Sequence, residues 1–490
     1  MKRLPAVLAA AALAGLLCLG LGGPWKSGNH SGSAGAFFSV VARNYLRYGG
    51  ATRLGQVLNT GAASPAEFDY YTHHPPLTAF LVTSGFLVFG EHEWAARLPF
   101  LLCSLAFLAA LFLFARDLYD ARTARIACAA AVLMPAFTAY RSLVCVLAPL
   151  LCFSMWTLYF YRKWRRRRSA GPLAASLFFY FLALESYQMA VFLLVPIALD
   201  ALRDAADRPP RRPLLLFPLV AAGSIALLLL HNLWLTGSPF GGGLVRQFFF
   251  RVGLVRGTSW DFTAGQWLVL SAERFFWLFT AGGIFLAGLW AAGCRARRKA
   301  GEREEGDLWI ASLLFFGLAP NVFFLNLSYV HAFFQGTLVP FFSLAAARAA
   351  AGWRGRRRLL VCLAAAAALQ SGVALARLSA NDADVSFSDP EPQRAVEIAD
   401  RVRRLTGPAD RVAASCDVMV VRYYADRAFD GGILTLARFE EIRRSRRPMY
   451  FLHHDQAEID PALRSFLEKT PVDSRFGRYT LYTLRQEPMI

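Results

Sequence analysis

Eight consecutive residues, Asp69-Tyr70-Tyr71-Thr72-His73-His74-Pro75-Pro76, place a carboxylate, two phenols and two imidazoles just before an apolar run. A carboxylate can take a proton from a hydroxyl, and imidazoles can donate to a phosphate. This turn can therefore support acid–base work on a phosphate-bearing substrate. Two prolines are also what a helix start would use on structural grounds alone, but that need does not account for the polar crowd in front of them. Upstream, Ala36 to Tyr48 has helical spacing: Phe37, Phe38, Val41, Tyr45 and Tyr48 share one arc, with Arg43 and Arg47 opposite. Such a helix would lie in a membrane interface with its aromatic face in lipid, leaving the two arginines to meet either a substrate phosphate or lipid headgroups. Glu185, between two apolar segments, is the second candidate carboxylate, although an acidic residue at a water-exposed helix turn also has an ordinary explanation.

These groups belong to a chain built for the bilayer. Of its 490 residues, 56% are hydrophobic and 14% aromatic, which makes it a polytopic helical membrane protein. A net charge of +19 would suggest nucleic acid in a soluble protein. Here Lys and Arg fall in short runs between apolar segments, Arg162 to Arg168 above all, and that pattern sets orientation across a membrane. With Met1-Lys2-Arg3 inside, a first span over residues 1–23 leads out to a polar loop at 25–77. A cleavable signal peptide is the alternative for that segment; its length and the loop behind it speak against cleavage. Residues 76–90 read as a membrane-surface or re-entrant helix, because a span there would put Arg116, Arg122 and Arg125 outside. With the first span the total is about eleven, one of them from Phe275 to Ala292. A second outside loop, His231 to Gln266, carries Arg246, Arg251, Arg256 and Asp261. The eight cysteines form neither a disulfide framework nor a zinc spacing.

From residue 381 the composition becomes that of a soluble domain. Gln393 to Leu405 and Leu434 to Arg444 have helical spacing, while Arg411 to Ser415, Val418 to Tyr423, Pro448 to Leu452 and Tyr479 to Leu484 look like strands. The expectation is a membrane domain over 1–380, followed by a small α/β domain over 381–490 on the outer side. His453-His454-Asp455 lacks a further ligand at a sensible spacing, so no metal is expected there.

Several motifs resemble those of the GT-C fold glycosyltransferases of family 39, the bacterial relatives of the protein O-mannosyltransferases and of the lipid A aminoarabinose transferase. They are Asn44-Tyr45-Leu46-Arg47-Tyr48-Gly49, His74-Pro75-Pro76-Leu77, where the family often has Lys-Pro-Pro-Leu, and Glu93-Trp94-Ala95-Ala96-Arg97-Leu98-Pro99, with His331 and Pro340 in a late helix. The resemblance implies a GT-C-like membrane domain and a soluble tail. It also implies transfer of a sugar from a polyprenyl-phosphate carrier to a lipid, envelope glycan or protein on the periplasmic side of a bacterial inner membrane. Arg and His would balance the charge of the leaving phosphate, and a carboxylate would take the acceptor's proton. On that basis Asp69 and Glu185 are the expected catalytic residues. Asn29, His30, Arg43, Arg47, Tyr71, His73, His74, Arg97 and His331 are the expected substrate-binding residues.

No cofactor is expected, and the partners are the lipid-linked sugar, membrane lipids and the acceptor, with no nucleic acid. This chain departs from the family pattern at two places. Where the first loop usually carries an acid it has Asn29, which cannot act as a base, and where a second acid often precedes a proline it has Ala148 before Pro149. These departures keep open a catalytically inactive protein that binds polyprenyl phosphate. A transporter or flippase is the remaining alternative; it would call for charges in mid-helix, and the predicted spans are almost free of them.

Overall fold

The protein is described from a computed structural model, which covers residues 18, 20–26, 30–203, 211–255, 261–302, 304–352, 357–380, 394–416, 419–455 and 457–484. Most of the first predicted span, Asn29, Arg256 and the His30 side chain lie outside the described residues. The chain divides into two compact units. One comprises residues 1–22 and 72–386; the other comprises 23–71 together with 387–490. The expected division at residue 380 thus falls differently, because most of the first loop packs with the tail.

Helix α1 (His30–Tyr48) opens the second unit, and the two short strands β1 (Gln56–Val57) and β2 (Tyr70–Tyr71) pair antiparallel behind it. The apolar arc of α1 does not lie in lipid. Phe38 and Val41 are buried, and the helix packs against a helix of the tail, Met419–Ala425.

The membrane unit begins with α2 (Leu77–Phe89), which follows Pro75-Pro76 and ends at Gly90, whose φ of +80° suits a residue without a side chain. Thirteen residues reach about 20 Å, short of the ~30 Å hydrocarbon core, so α2 cannot cross alone. Next come α3 (Glu93–Leu118), α4 (Ala121–Leu133), α5 (Leu147–Arg167), α6 (Ala170–Ser186), α7 (Leu194–Arg203), α8 (Arg211–Thr236) and α9 (Leu244–Val252). They are followed by α10 (Ala264–Phe279), α11 (Ala281–Lys299), α12 (Glu305–Phe323), α13 (Leu325–Val330), α14 (Val339–Ala351) and α15 (Arg357–Ala380). Among the described residues four helices are long and apolar enough to cross a membrane singly, α3, α8, α12 and α15, and the bent pair α10–α11 would make a fifth. Every other predicted span within the described residues meets a helix that is shorter, interrupted or tipped with arginine.

Two membrane segments differ from expectation. The helix predicted from Phe275 to Ala292 is broken at Thr280, with α10 and α11 at 96°. Thr280 has φ +61°, which ends α10, and its Oγ1 accepts from Gly283 N, which caps α11. The second loop expected outside carries a helix of its own, α9, with Arg251 in its last turn. At the Arg-rich helix ends, the basic runs also serve packing: Arg162 pairs with Asp117 and Glu305, Arg165 with Asp200, Arg297 with Asp307 and Arg348 with Glu304.

The tail contributes α16 (Ala395–Leu405), β3 (Arg411–Ala414), α17 (Met419–Ala425), β4 (Ala428–Asp430), α18 (Leu436–Arg446), β5 (Tyr450–His454), α19 (Pro461–Glu468), β6 (Val472–Phe476) and β7 (Tyr479–Thr483). The sheet order is β4-β3-β5-β7-β6, with β4, β3 and β5 parallel, β7 antiparallel to β5, and β6 antiparallel to β7. Residues 418–423, expected as a strand, fall mainly in the helix α17. Parallel β3 and β4 need a crossover, and Val420, Val421 and Tyr423 are buried by it. Phe439 and Phe451 meet edge to face at the centre of the core, with Ile433 and Leu463 around them.

Candidate functional site

In the membrane unit the polar turn is pinned at its start. Thr72 Oγ1 donates to Gly241 O at 2.8 Å, and Asn232 Nδ2 donates to Thr72 O at 3.1 Å, so the end of α8 and the glycines behind it hold the residue that delivers His73 and His74. His74 is half-buried, with its ring 4.9 Å from that of Tyr187, the residue closing α6. Tyr187 in turn packs on Phe334 at 5.6 Å.

His331 comes from the other end of the chain. It sits in extended backbone between α13 and a turn of 3-10 helix, Ala332–Leu338. Its ring lies 5.4 Å from Phe333 and 6.4 Å from Phe334, so the two imidazoles flank one aromatic group. A buried polar layer fixes this corner. Asn321 Nδ2 donates to Gly317 O at 2.8 Å, Ser328 Oγ donates to Asn321 O at 2.8 Å, and Arg274 Nη1 donates to the carbonyls of Ser328 and Tyr329 at 2.9 and 2.7 Å. Gly317 permits the close approach: a Cβ there would stand 2.8 Å from Thr337 O.

Arg251 completes the group. Its Nη1 lies 3.5 Å from His331 Nε2, and with the Gln247 amide oriented to face it, Gln247 O accepts from Arg251 Nε and Nη2 at 2.8 and 3.1 Å. A guanidinium held by one turn of α9 thus points at an imidazole held by the α12–α14 corner. The electrostatics of His74 follow from this grouping. Burial lowers the His74 pKa first, the charge of Arg251 and the rings of His73 and His331 lower it further, and a hydrogen bond with Gln188 opposes them, leaving it at about 3. His74 is therefore a neutral imidazole at physiological pH, able to donate from one nitrogen and accept at the other.

The expected site residues divide between the units. His73, His74 and His331 converge in the membrane unit. Glu185 is in the same unit, half-buried, and accepts from Ser224 Oγ at 2.6 Å across α6 and α8. Arg97 is buried in α3 and donates from Nη1 to Leu21 O at 2.6 Å. Asp69, Tyr71, Arg43 and Arg47 belong to the other unit. Arg47 Nη2 meets Asp426 Oδ2 at 2.6 Å, and Arg43 Nη1 meets Asp426 Oδ1 at 3.3 Å and Tyr423 O at 2.9 Å. These two arginines, expected at a phosphate or at lipid headgroups, fasten α1 to the tail. Tyr71 pairs with Gln56 and stacks edge-on with Phe37 at 4.9 Å. Asp69 is exposed, with its backbone N donating to Asn59 Oδ1.

Arg251 is the site residue that sequence reasoning did not select. The signal for it was present: arginines in a loop expected on the outer side run against the positive-inside pattern and so need another reason to be there. Among the described residues no three His, Cys, Asp or Glu side chains converge to hold a metal ion.

Residues 73–234 match a family model described as dolichyl-phosphate-mannose-protein mannosyltransferase. The structure aligns with ArnT from Cupriavidus metallidurans bound to undecaprenyl phosphate over 98% of both chains, at 14% identity and a TM-score of 0.68. The chain has the GT-C fold of ArnT. This GT-C chain also aligns with the oligosaccharyltransferase AglB from Archaeoglobus fulgidus in complex with an inhibitory peptide and a dolichol-phosphate. That match covers 93% of this chain and 70% of the other, at 13% identity and a TM-score of 0.57. A third likeness is to the mycobacterial arabinofuranosyltransferase AftD, over 99% of this chain and 40% of that one, at 13% identity and a TM-score of 0.52. No curated protein sequence matches it. It is a multi-pass membrane protein with a glycosyltransferase fold.

Proposed function

We propose that the protein is a glycosyltransferase that moves a sugar from a polyprenyl-phosphate donor to a lipid, envelope glycan or protein acceptor on the outer face of the bacterial inner membrane. The observation that carries this reading is the convergence of Arg251, His331 and His74, from three separate segments, on one corner of the membrane unit. A guanidinium and two imidazoles suit a phosphate better than any neutral group. The family match and the lipid phosphates in the ArnT and AglB structures support the same class of donor.

In the proposed reaction an acceptor hydroxyl attacks the anomeric carbon, and the bond from that carbon to the phosphate oxygen breaks. The phosphate leaves with the electron pair and gains negative charge, and the hydroxyl proton passes to a carboxylate. Arg251 and His331 would meet the growing charge on the phosphate, where a preorganised donor counts most. Neutral His74 would donate one further hydrogen bond without carrying a competing proton. Glu185, held by Ser224 in the same unit, is the proposed proton acceptor.

The test is transfer in reconstituted vesicles supplied with polyprenyl-phosphate sugars. Arg251→Gln and His331→Gln, each removing a charged or charge-assisted contact of about 1.5–3 kcal/mol, are expected to lower kcat/KM by roughly 10- to 150-fold. Equal transfer by both variants would remove the phosphate role. Absence of transfer by the unaltered protein over a broad donor and acceptor set would favour a binding protein without catalysis.

A further inference from the structure

The soluble unit contains a second polar pocket, away from any group used above except Asp69. Its walls come from the edge strand β4, from one face of α18 and from the loop around Asn59, and its volume is about 210 Å³. Arg438, Ile442 and Arg446 line it at four-residue intervals along α18, one side of a helix. Arg411, which opens β3, shares a sheet face with Asp430 at the end of β4, since Ala413 is the register partner of Asp430. Arg422 enters from α17, and its Nη2 donates to Leu58 O at 3.0 Å.

The charge in the pocket is unbalanced. Asp430, only 5% exposed at its side chain, forms the floor and is shared by Arg446 at 2.5 Å and Arg411 at 3.5 Å. It is thereby committed. Asp69, which also lines the pocket, makes no ion pair among the described residues. Four guanidiniums thus surround a space that holds two carboxylates, one already shared. Arg438 Nη1 also meets Glu441 Oε2 at 2.5 Å along α18, but the Arg438 and Arg446 side chains are about half exposed, so both stay reachable from solvent. Guanidinium forks match the geometry of carboxylate and phosphate oxygens. The space is smaller than the ~300–1,000 Å³ of pockets for drug-sized ligands, which limits the occupant to about one small ring or acidic group.

We propose that this pocket binds an anionic saccharide unit of a soluble glycan, its phosphate or uronic carboxylate on the arginines and a hydroxyl on Asp69. The choice of a saccharide rests on the glycosyl-transfer reading; the anion site does not.

The experiment is a calorimetric titration of the full chain in neutral detergent, without donor lipid, using glucose 6-phosphate, glucuronate, glucose and inorganic phosphate as probes. The expected result is that at least one anionic sugar binds more tightly than either glucose or inorganic phosphate. Arg438→Gln, on an exposed helix face, should weaken that binding about tenfold or more with unchanged thermal unfolding. Asp69→Ala should weaken the sugar and leave inorganic phosphate unaffected. Four results would each overturn the proposal: no binding of either anionic sugar at millimolar concentration, equal binding of inorganic phosphate, unchanged affinity in Arg438→Gln, or competition by discs of acidic lipid but not of neutral lipid. The last would assign the anion to a lipid headgroup. Because no donor is present, failure here leaves transfer activity untouched, and failure of transfer leaves this binding untouched.

Discussion

Protonation of His74 is the sharpest test of the corner around it. In the folded protein its pKa lies at about 3, against 6.5 for a solvated imidazole. A histidine with a lowered folded pKa is fully stabilised above its free value and loses that stability as pH falls through 6.5 toward 3, because the opened state takes up the proton first. At pH 5 the opened state gains about 2 kcal/mol from this one ring, and the ring's residual exposure trims the figure to about 1–2 kcal/mol. The assay is hydrogen exchange over residues 72–80, where Phe80 N is bonded to Pro76 O and reports opening at the start of α2. After correction for intrinsic exchange, lowering the pH from 7 to 5 should raise the opening equilibrium roughly 5- to 30-fold. In His74→Gln the same change of pH should have little effect. An identical pH response in both proteins, or stronger protection at pH 5, would refute the placement of His74 beside Arg251 and His331.

Further outcomes follow from other contacts. Asp426→Asn should loosen α1 from the tail by about 1–2 kcal/mol in denaturant unfolding of the full chain, since two partly exposed pairs and the Gly61 N–H bond converge on it. Burial alone would raise the Asp426 carboxyl; the hydrogen bond from Arg47, the charges of Arg43 and Arg47 and the Gly61 N–H more than offset it, so the folded pKa is lowered. That stabilisation should be present at neutral pH and fade as pH falls through the folded pKa, a trend the asparagine variant should lack. Phe439→Ala, at the centre of the soluble core, should cost about 3–5 kcal/mol by the same unfolding assay. Thr72→Val should lower kcat in vesicle transfer without altering membrane expression, because it frees the turn that delivers His74.

Helix positions and the small α/β tail were legible because hydropathy and short-range spacing carry them. Residues 76–90 could be excluded as a span from the charges beyond them, and α2 is indeed too short to cross. The break at Thr280 was not legible. Its cause is one threonine with positive φ, two residues ahead of the pair Gly282-Gly283, inside a run whose apolar content would serve a straight helix equally well. The β-branched run at Val420-Val421 failed for the opposite reason. Local preference favoured a strand there, but two parallel strands need a crossover between them, and that requirement is topological. Arg43 and Arg47 were correctly placed on one face of a helix. Their partner, Asp426, lies far along the chain, and spacing within α1 carries no information about it.

The site itself shows how far a charge rule reaches. A loop expected on the outer side should be poor in arginine, and that expectation marks Arg246 and Arg251 equally. The structure separates them: five positions along α9 turn the two side chains about 140° apart. Arg251 faces His331, whereas Arg246 is exposed. Which arginine serves the site depends on the phase of α9. That phase is set by the Gly243 turn, with φ +80°, and by contacts with Phe323 and Phe324 across from Phe248, none of which a charge count contains. A rule about topology can therefore nominate the segment, and only packing can choose the residue.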